Sequence, residues 1–266
     1  MKSFSSVFAV FRPGLVALGL ALAPAIAAAD TAGTDIGLCA GIKHFLAPAE
    51  QQQRIDRVKE AGLAFVRTDF VWRTIESSRG RYDFTGYDAM MVAADRNGLA
   101  VLGLISHAPA WAVPVTEHLG EWLAFVEATV RRYPQVRHWE IYNEPNLAEF
   151  WISKPDPAGY AELFRQTAAR IKAIDPTLFV LTGGLASSND ANGGYSGEFA
   201  ESMLSAGLGD SFDAFAIHPY RFPHAPEESV YKLNVKRPRK LTLEQAVGRY
   251  RQLLDRHGLA GKAIWI

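Results

Sequence analysis

Val101-Leu102-Gly103-Leu104-Ile105 is apolar without a break and stops at Ser106-His107-Ala108-Pro109-Ala110-Trp111. Ala214-Phe215-Ala216-Ile217 does the same and stops at His218-Pro219-Tyr220. A strand with one wet face alternates apolar and polar side chains, whereas an unbroken apolar run belongs to a strand covered on both faces. Working outward from these two, further short apolar or β-branched runs begin near Ile36, Phe65, Val136, Phe179 and Ala263. Helical periods lie between them. Tyr160, Leu163, Phe164, Thr167, Ala168, Ile171 and Ile174 recur at three- and four-residue steps, and Asp175-Pro176 ends that helix. Leu119, Trp122, Val126, Val130 and Tyr133 make a second face, closed by Pro134. Leu243, Ala246, Val247, Tyr250, Leu253 and Leu254 make a third, with Gly258 as its stop.

Strands separated by amphipathic helices imply parallel pairing, because a parallel neighbour needs a crossover and a helix supplies one. The first and last strand starts, at 36 and 263, are 227 residues apart, about 38 per unit. An open doubly wound sheet would carry a Gly-rich phosphate turn after an early strand, and none is present. The pattern therefore predicts an α/β fold of the TIM (β/α)₈ barrel type, incomplete, with about seven strands. The seventh, Ala263-Ile264-Trp265-Ile266, is also the last stretch of the sequence. Seven strands do not close an eight-fold barrel, so two unpaired edges are expected.

Residues 1–29 are set apart from the barrel at 30–266. Lys2 and Arg12 precede an apolar run from Gly14 to Ile26, and Ala27-Ala28-Ala29 supplies small residues for cleavage. This is similar to a secretory signal peptide cut after Ala29, which places the mature protein outside the cytoplasm or in a periplasm. The run contains Pro24 and is short for a bilayer span, which argues against a stable membrane anchor. Removing Lys2 and Arg12 leaves 26 basic against 28 acidic side chains, a net charge near −2. No basic stripe or tail suggests nucleic acid, and the cluster Lys236-Arg237-Pro238-Arg239-Lys240 is read as a solvated loop. The single cysteine, Cys39, excludes an intramolecular disulfide and is read as a small buried hydrophobe.

In a parallel barrel the reactive groups gather at the C-terminal ends of the strands, where the pocket-forming loops emerge. Arg67-Thr68-Asp69 ends the second strand, Ser106-His107 the third, Tyr142-Asn143-Glu144-Pro145-Asn146 the fourth and His218-Pro219-Tyr220 the sixth. The strongest signal is Trp139-Glu140-Ile141-Tyr142-Asn143-Glu144-Pro145-Asn146. By the two-residue period Glu140, Tyr142 and Glu144 share one face, and Pro145 favours an extended backbone at Glu144. A partly desolvated carboxyl beside an amide and an aromatic ring suits general-acid work, with a solvated strand-capping turn as the plain alternative.

Asn143-Glu144-Pro145 at the end of strand four resembles the signature of glycoside hydrolase clan A. The likeness extends to Trp72-Arg73-Thr74-Ile75-Glu76, Gly80-Arg81-Tyr82-Asp83-Phe84, Tyr87-Asp88, Arg67 and His218-Pro219-Tyr220. It looks nearest the family of β-xylosidases, α-L-iduronidases and bacterial exopolysaccharide glycosidases, with cellulase-like families close behind. The resemblance implies retaining hydrolysis of O-glycosidic bonds in an oligo- or polysaccharide. It implies Glu144 as the acid/base, Asn143 on the substrate's 2-hydroxyl, Arg67 near the nucleophile, a carbohydrate as partner and no cofactor. Lys262-Ala263-Ile264-Trp265-Ile266 is similar to strand seven, which in such enzymes runs on into a Thr and the nucleophilic Glu. Neither is in the sequence, so the chain as written is expected to be inactive.

Other candidates carry weaker warrants. Trp72 and Trp111 are candidates for stacking on sugar rings, with core packing the equal alternative. His107 and His218 suit hydrogen bonds to hydroxyls or to a carboxylate, and Tyr142 and Tyr220 are phenolic donors or core. Trp151 is a candidate for lining the cleft. Two other readings stand beside the enzyme: an inactive, truncated sugar-binding barrel, and a metal-dependent barrel hydrolase using His44, His107, His218 and Glu144. The second lacks a His-x-His pair on strand one and any His-Glu-x-x-His, so no metal site is assigned.

Overall fold

The computed structural model describes residues 6–11, 36–187, 196–220, 225–228, 230–231 and 238–266. The proposed cleavage point at Ala29 and the basic residues Lys236 and Arg237 lie outside them. The strands are β1 (Ser6–Phe11), β2 (Ile36–Cys39), β3 (Phe65–Val71), β4 (Ala100–Ser106), β5 (His138–Ile141) and β6 (Phe179–Thr182). They continue with β7 (Leu185–Ala186), β8 (Ala214–His218), β9 (Val230–Tyr231), β10 (Pro238–Lys240) and β11 (Ala263–Trp265). The helices are α1 (Pro48–Glu60), α2 (Trp72–Ile75), α3 (Thr85–Arg96), α4 (Leu119–Arg132) and α5 (Ala148–Trp151). After them come α6 (Pro157–Ile174), α7 (Gly197–Met203) and α8 (Leu243–Arg256).

Seven strands, β2, β3, β4, β5, β6, β8 and β11, run parallel and side by side, which is the incomplete TIM barrel that the alternating periods predict. The longest register is β3 on β4, from Phe65 opposite Ala100 to Val71 opposite Ser106. Two helix starts follow from local chemistry. Asp156 caps α6 by accepting the Gly159 N–H, with Pro157 in the first turn. Thr242 and Gln245 form a reciprocal capping box on α8. The core lies mainly between strands and helices, where Trp72, Trp122, Trp139, Phe70, Phe125 and Phe164 are fully buried. A smaller cluster of Phe65, Leu102, Leu181, Ala214 and Trp265 fills the barrel interior toward its N-terminal end.

The expectation of two unpaired edges is corrected. β1, which falls within the segment read as a leader, lies antiparallel between β2 and β11 and pairs with both. Unpaired edge N–H and C=O groups accept any extended segment, whatever its direction. This is the only antiparallel member of the ring among the described residues. Cys39 is half-buried, not buried. Part of the basic cluster, Pro238–Lys240, pairs with Val230–Tyr231 as a two-stranded ribbon, so it is not wholly a loop. On the outer flank an apolar groove of about 790 Å³ runs beside α8 and β11, lined by Leu243, Val247, Ile264 and Ile266. No helix among the described residues is long and apolar enough to cross a membrane.

Candidate active site

The fourth strand ends sooner and more sharply than the sequence suggests. Tyr142 and Glu144 have φ of 70° and 43°, and His107 at the end of β4 has φ of 63°. Each costs a non-glycine residue about 1–2 kcal/mol, and such strain tends to gather at functional positions. The extended backbone expected at Glu144 and the shared face of Glu140, Tyr142 and Glu144 are therefore corrected. Glu140 points into the barrel. Tyr142 turns out into the helical shell, 5.0 Å from the Trp151 ring and 5.8 Å from that of Trp122. That turn swings Asn143 and Glu144 together toward the mouth.

Asn146 fixes the far side of the turn. Its side chain donates to the Ala186 carbonyl and accepts the Ala186 N–H, both at 3.0 Å. Tyr160 of α6 fixes the near side. Its hydroxyl donates to the Ile141 carbonyl at 3.0 Å and accepts the Gly183 N–H at 2.7 Å.

Four sequence-predicted residues meet there. Arg67 is 5% exposed and binds Glu140 twice, Nε to Oε2 at 2.6 Å and Nη2 to Oε1 at 2.9 Å. Arg67 Nη2 also reaches Asn143 Oδ1 at 3.1 Å. Burial alone would lower the Arg67 pKa, but the contact with Glu140 outweighs it and raises the pKa, so the guanidinium stays charged. Glu144 is 7% exposed, and its Oε1 lies 2.8 Å from His218 Nδ1. The other ring nitrogen of His218 faces Glu140 Oε1 at 3.8 Å.

A polar rim adjoins this cluster. Lys43 Nζ binds Asp69 Oδ2 at 3.1 Å, and Asp69 Oδ1 lies 4.0 Å from Arg67. Burial pushes the Asp69 pKa up, but Arg67 and Lys43 prevail and hold it below the usual carboxylate range. His107, half-buried, has Nδ1 2.5 Å from the Ser106 hydroxyl, and burial holds its pKa below 6.5 against the pull of Asp69. Tyr220 is half exposed, with its ring 5.4 Å from that of His218.

The tryptophans divide differently. Trp72 is fully buried, stacks on Phe125 and donates to Glu76, so it belongs to the core and not to a sugar platform. Glu76 spends its carboxylate on that indole and on the Gly80 N–H. Trp151 is also core, against Tyr142 and Tyr160. Trp111 is half-buried on the turn after β4, its ring edge-on to Trp72. Asp213 sits at the opposite end of the barrel, bound to Lys172 and the Val180 N–H. Among the described residues no three His, Cys, Asp or Glu side chains converge as metal ligands.

Residues 46–151 match the family model described as beta-galactosidase, glycoside hydrolase family 42. The likeness is to the clan A glycosidases. The fold is shared with a family 39 glycoside hydrolase from Bacteroides cellulosilyticus WH2, at 22% identity and a TM-score of 0.62 over 80% of this chain and 44% of that one. It is shared with a monomeric beta-xylosidase from Caulobacter crescentus CB15, at 22% identity and 0.59 over 81% and 49%. A glucosidase from Croceicoccus marinus gives 17% and 0.55 over 79% and 46%. This chain thus spans about half the length of the solved structures it matches. No curated protein matches it.

Sequence reasoning passed over two features. The two-residue period puts Glu140 with Tyr142 and Glu144 and suggests no task for it, whereas in the fold it carries Arg67. The doublet Gly183-Gly184, after the apolar run Phe179–Thr182, went unread. Two adjacent glycines at a strand end are a signal of close backbone approach. A Cβ on Gly183 would stand 2.4 Å from the Tyr142 carbonyl oxygen.

Proposed function

We propose that this chain carries the proton-donor half of a retaining glycoside hydrolase site, acting on O-glycosidic bonds of an oligo- or polysaccharide. One observation carries the reading: a carboxyl buried at the barrel mouth, Glu144, with one oxygen engaged by His218 and its neighbour Asn143 fixed by Arg67. A carboxyl so placed can protonate a leaving oxygen and later take a proton from water. Asn143 is the donor for a sugar hydroxyl, and His107, Tyr220 and Trp111 line the approach. The β-xylosidase neighbour and the β-galactosidase family model make a β-linked glycan the substrate to try first.

Retention needs a second carboxylate about 5–5.5 Å from the first. β11 lies next to β8, whose His218 engages Glu144, so the end of β11 is where that nucleophile belongs. The likeness of residues 1–29 to a secretory leader supports a location outside the cytoplasm.

The test is hydrolysis of aryl glycosides with leaving groups of rising pKa, by a chain extended through the strand-seven Thr-Glu. Glu144→Gln should slow the poorest leaving groups by about 10²–10⁴-fold and the best ones least. Equal loss across the series would remove Glu144 from the acid role.

A further inference from the structure

Gly184 is where the fifth unit of the barrel breaks, between β6, which pairs with β5, and β7, which pairs with β8. Its φ is not positive, so backbone freedom does not explain the residue. Space does. A Cβ at this position would stand 2.3 Å from His218 Nε2, 2.4 Å from Cδ2 and 2.8 Å from Cε1. The imidazole occupies the volume that any side chain here would need. The partner of that clash is no flexible chain end. His218 is 4% exposed, packed at the end of β8 and held between two carboxyls. The Gly184 N–H also donates to Glu140 Oε1 at 3.0 Å, the oxygen that receives Arg67 Nη2.

We propose that Gly184 is a positioning residue for the proton donor: by lacking a side chain it seats His218 so that Nδ1–H donates to one oxygen of Glu144 and leaves the other for substrate. This rests on the acid/base reading of Glu144. The chain of contacts runs from Gly184 to the ring, and from the ring to the carboxyl. Glu140, already bound by Arg67 and the Gly184 N–H, lies 3.8 Å from the second ring nitrogen. In the cycle only one proton moves at Glu144, on and off the oxygen that His218 does not hold. The Nδ1–H bond persists through both states and strengthens when the carboxyl is ionised.

The inference is read directly on the 266-residue chain by ¹⁵N-resolved NMR of the histidine ring N–H groups near neutral pH. Loss of one ring N–H signal in His218→Asn assigns it. Gly184→Ala should abolish or displace that signal while the other six histidines keep theirs. Gly248→Ala, on α8 with open space around it, should change nothing. Glu144→Gln alters the acceptor without changing bulk, and it should shift the same ring signal even if Gly184→Ala folds poorly. An unmoved His218 signal in Glu144→Gln, or in a folded Gly184→Ala, overturns the proposal. The aryl glycoside series fails or succeeds separately: no hydrolysis by the extended chain, with the ring signals behaving as stated, would sink the glycosidase reading and leave the seating of His218 intact.

Discussion

One arc of the barrel mouth is tied by buried charged side chains, and the opposite arc is bridged by an antiparallel strand. From β3 to β8 the C-terminal ends are tied by Arg67 to Glu140, Glu140 to the Gly184 N–H, and His218 to Glu144. From β11 through β1 to β2 the strands pair through the main chain and the chain direction reverses at β1, while Trp265 of β11 stacks on Phe65 inside the barrel. A buried side-chain pair accepts only one partner in one geometry, whereas a strand edge takes any extended segment. The first side specifies; the second only fills. The candidate chemistry sits on the side that specifies.

That contrast breaks first at Arg67. Arg67→Ala leaves Glu140 buried without its counter-ion and should lower unfolding free energy by about 3–5 kcal/mol, read from urea denaturation. A loss under 1 kcal/mol would mean that the arc is no more specific than the seam. Trp72→Ala tests the reassignment of that ring to the core, with an expected loss of about 3–5 kcal/mol, whereas Tyr220→Ala should stay within about 0.5 kcal/mol. If Tyr220 proved the costlier of the two, the division between core and mouth would be wrong. Removing residues 1–29 should free the edges of β2 and β11, and light scattering should show self-association with only a modest drop in melting temperature. A chain that stays monomeric would show the seam to be dispensable.

The smallest effect is a pH dependence at the rim. The folded pKa of His107 lies below 6.5, so its contribution is complete above that pH. It is lost as pH falls from 6.5 through the folded value, because the unfolded chain takes up the proton first. His107→Gln should flatten the decline in melting temperature between pH 7 and 5, and an unchanged slope would remove His107 from the account.

Much of this was legible in the sequence. The strand starts at Ile36, Phe65, Phe179, Ala214 and Ala263 match, because apolar runs and helical periods are local signals. Arg67, Asn143, Glu144 and His218 come together as their strand-end positions suggest, because a strand end restricts where a polar group can point. Trp72 and Trp151 prove to be core, the alternative already open for Trp72, because in sequence an indole looks the same whether it faces a sugar or a helix. Glu140 and Gly184 were missed because the atoms that explain them are dozens of residues away in the chain. The turn at Tyr142 was misread because a two-residue period holds only while the backbone stays extended, and here it stops at Ile141. β1 was invisible as a strand because its residues had already been read as a leader.

The hydroxyl of Tyr160 is bonded to both the Ile141 carbonyl and the Gly183 N–H, and so to the roots of the two segments that carry Glu144 and seat its histidine. Any sway of helix α6 therefore moves the two roots as a pair. Their mutual alignment is insulated from breathing of the outer shell. A Tyr160→Phe chain would keep its shape and lose that synchrony.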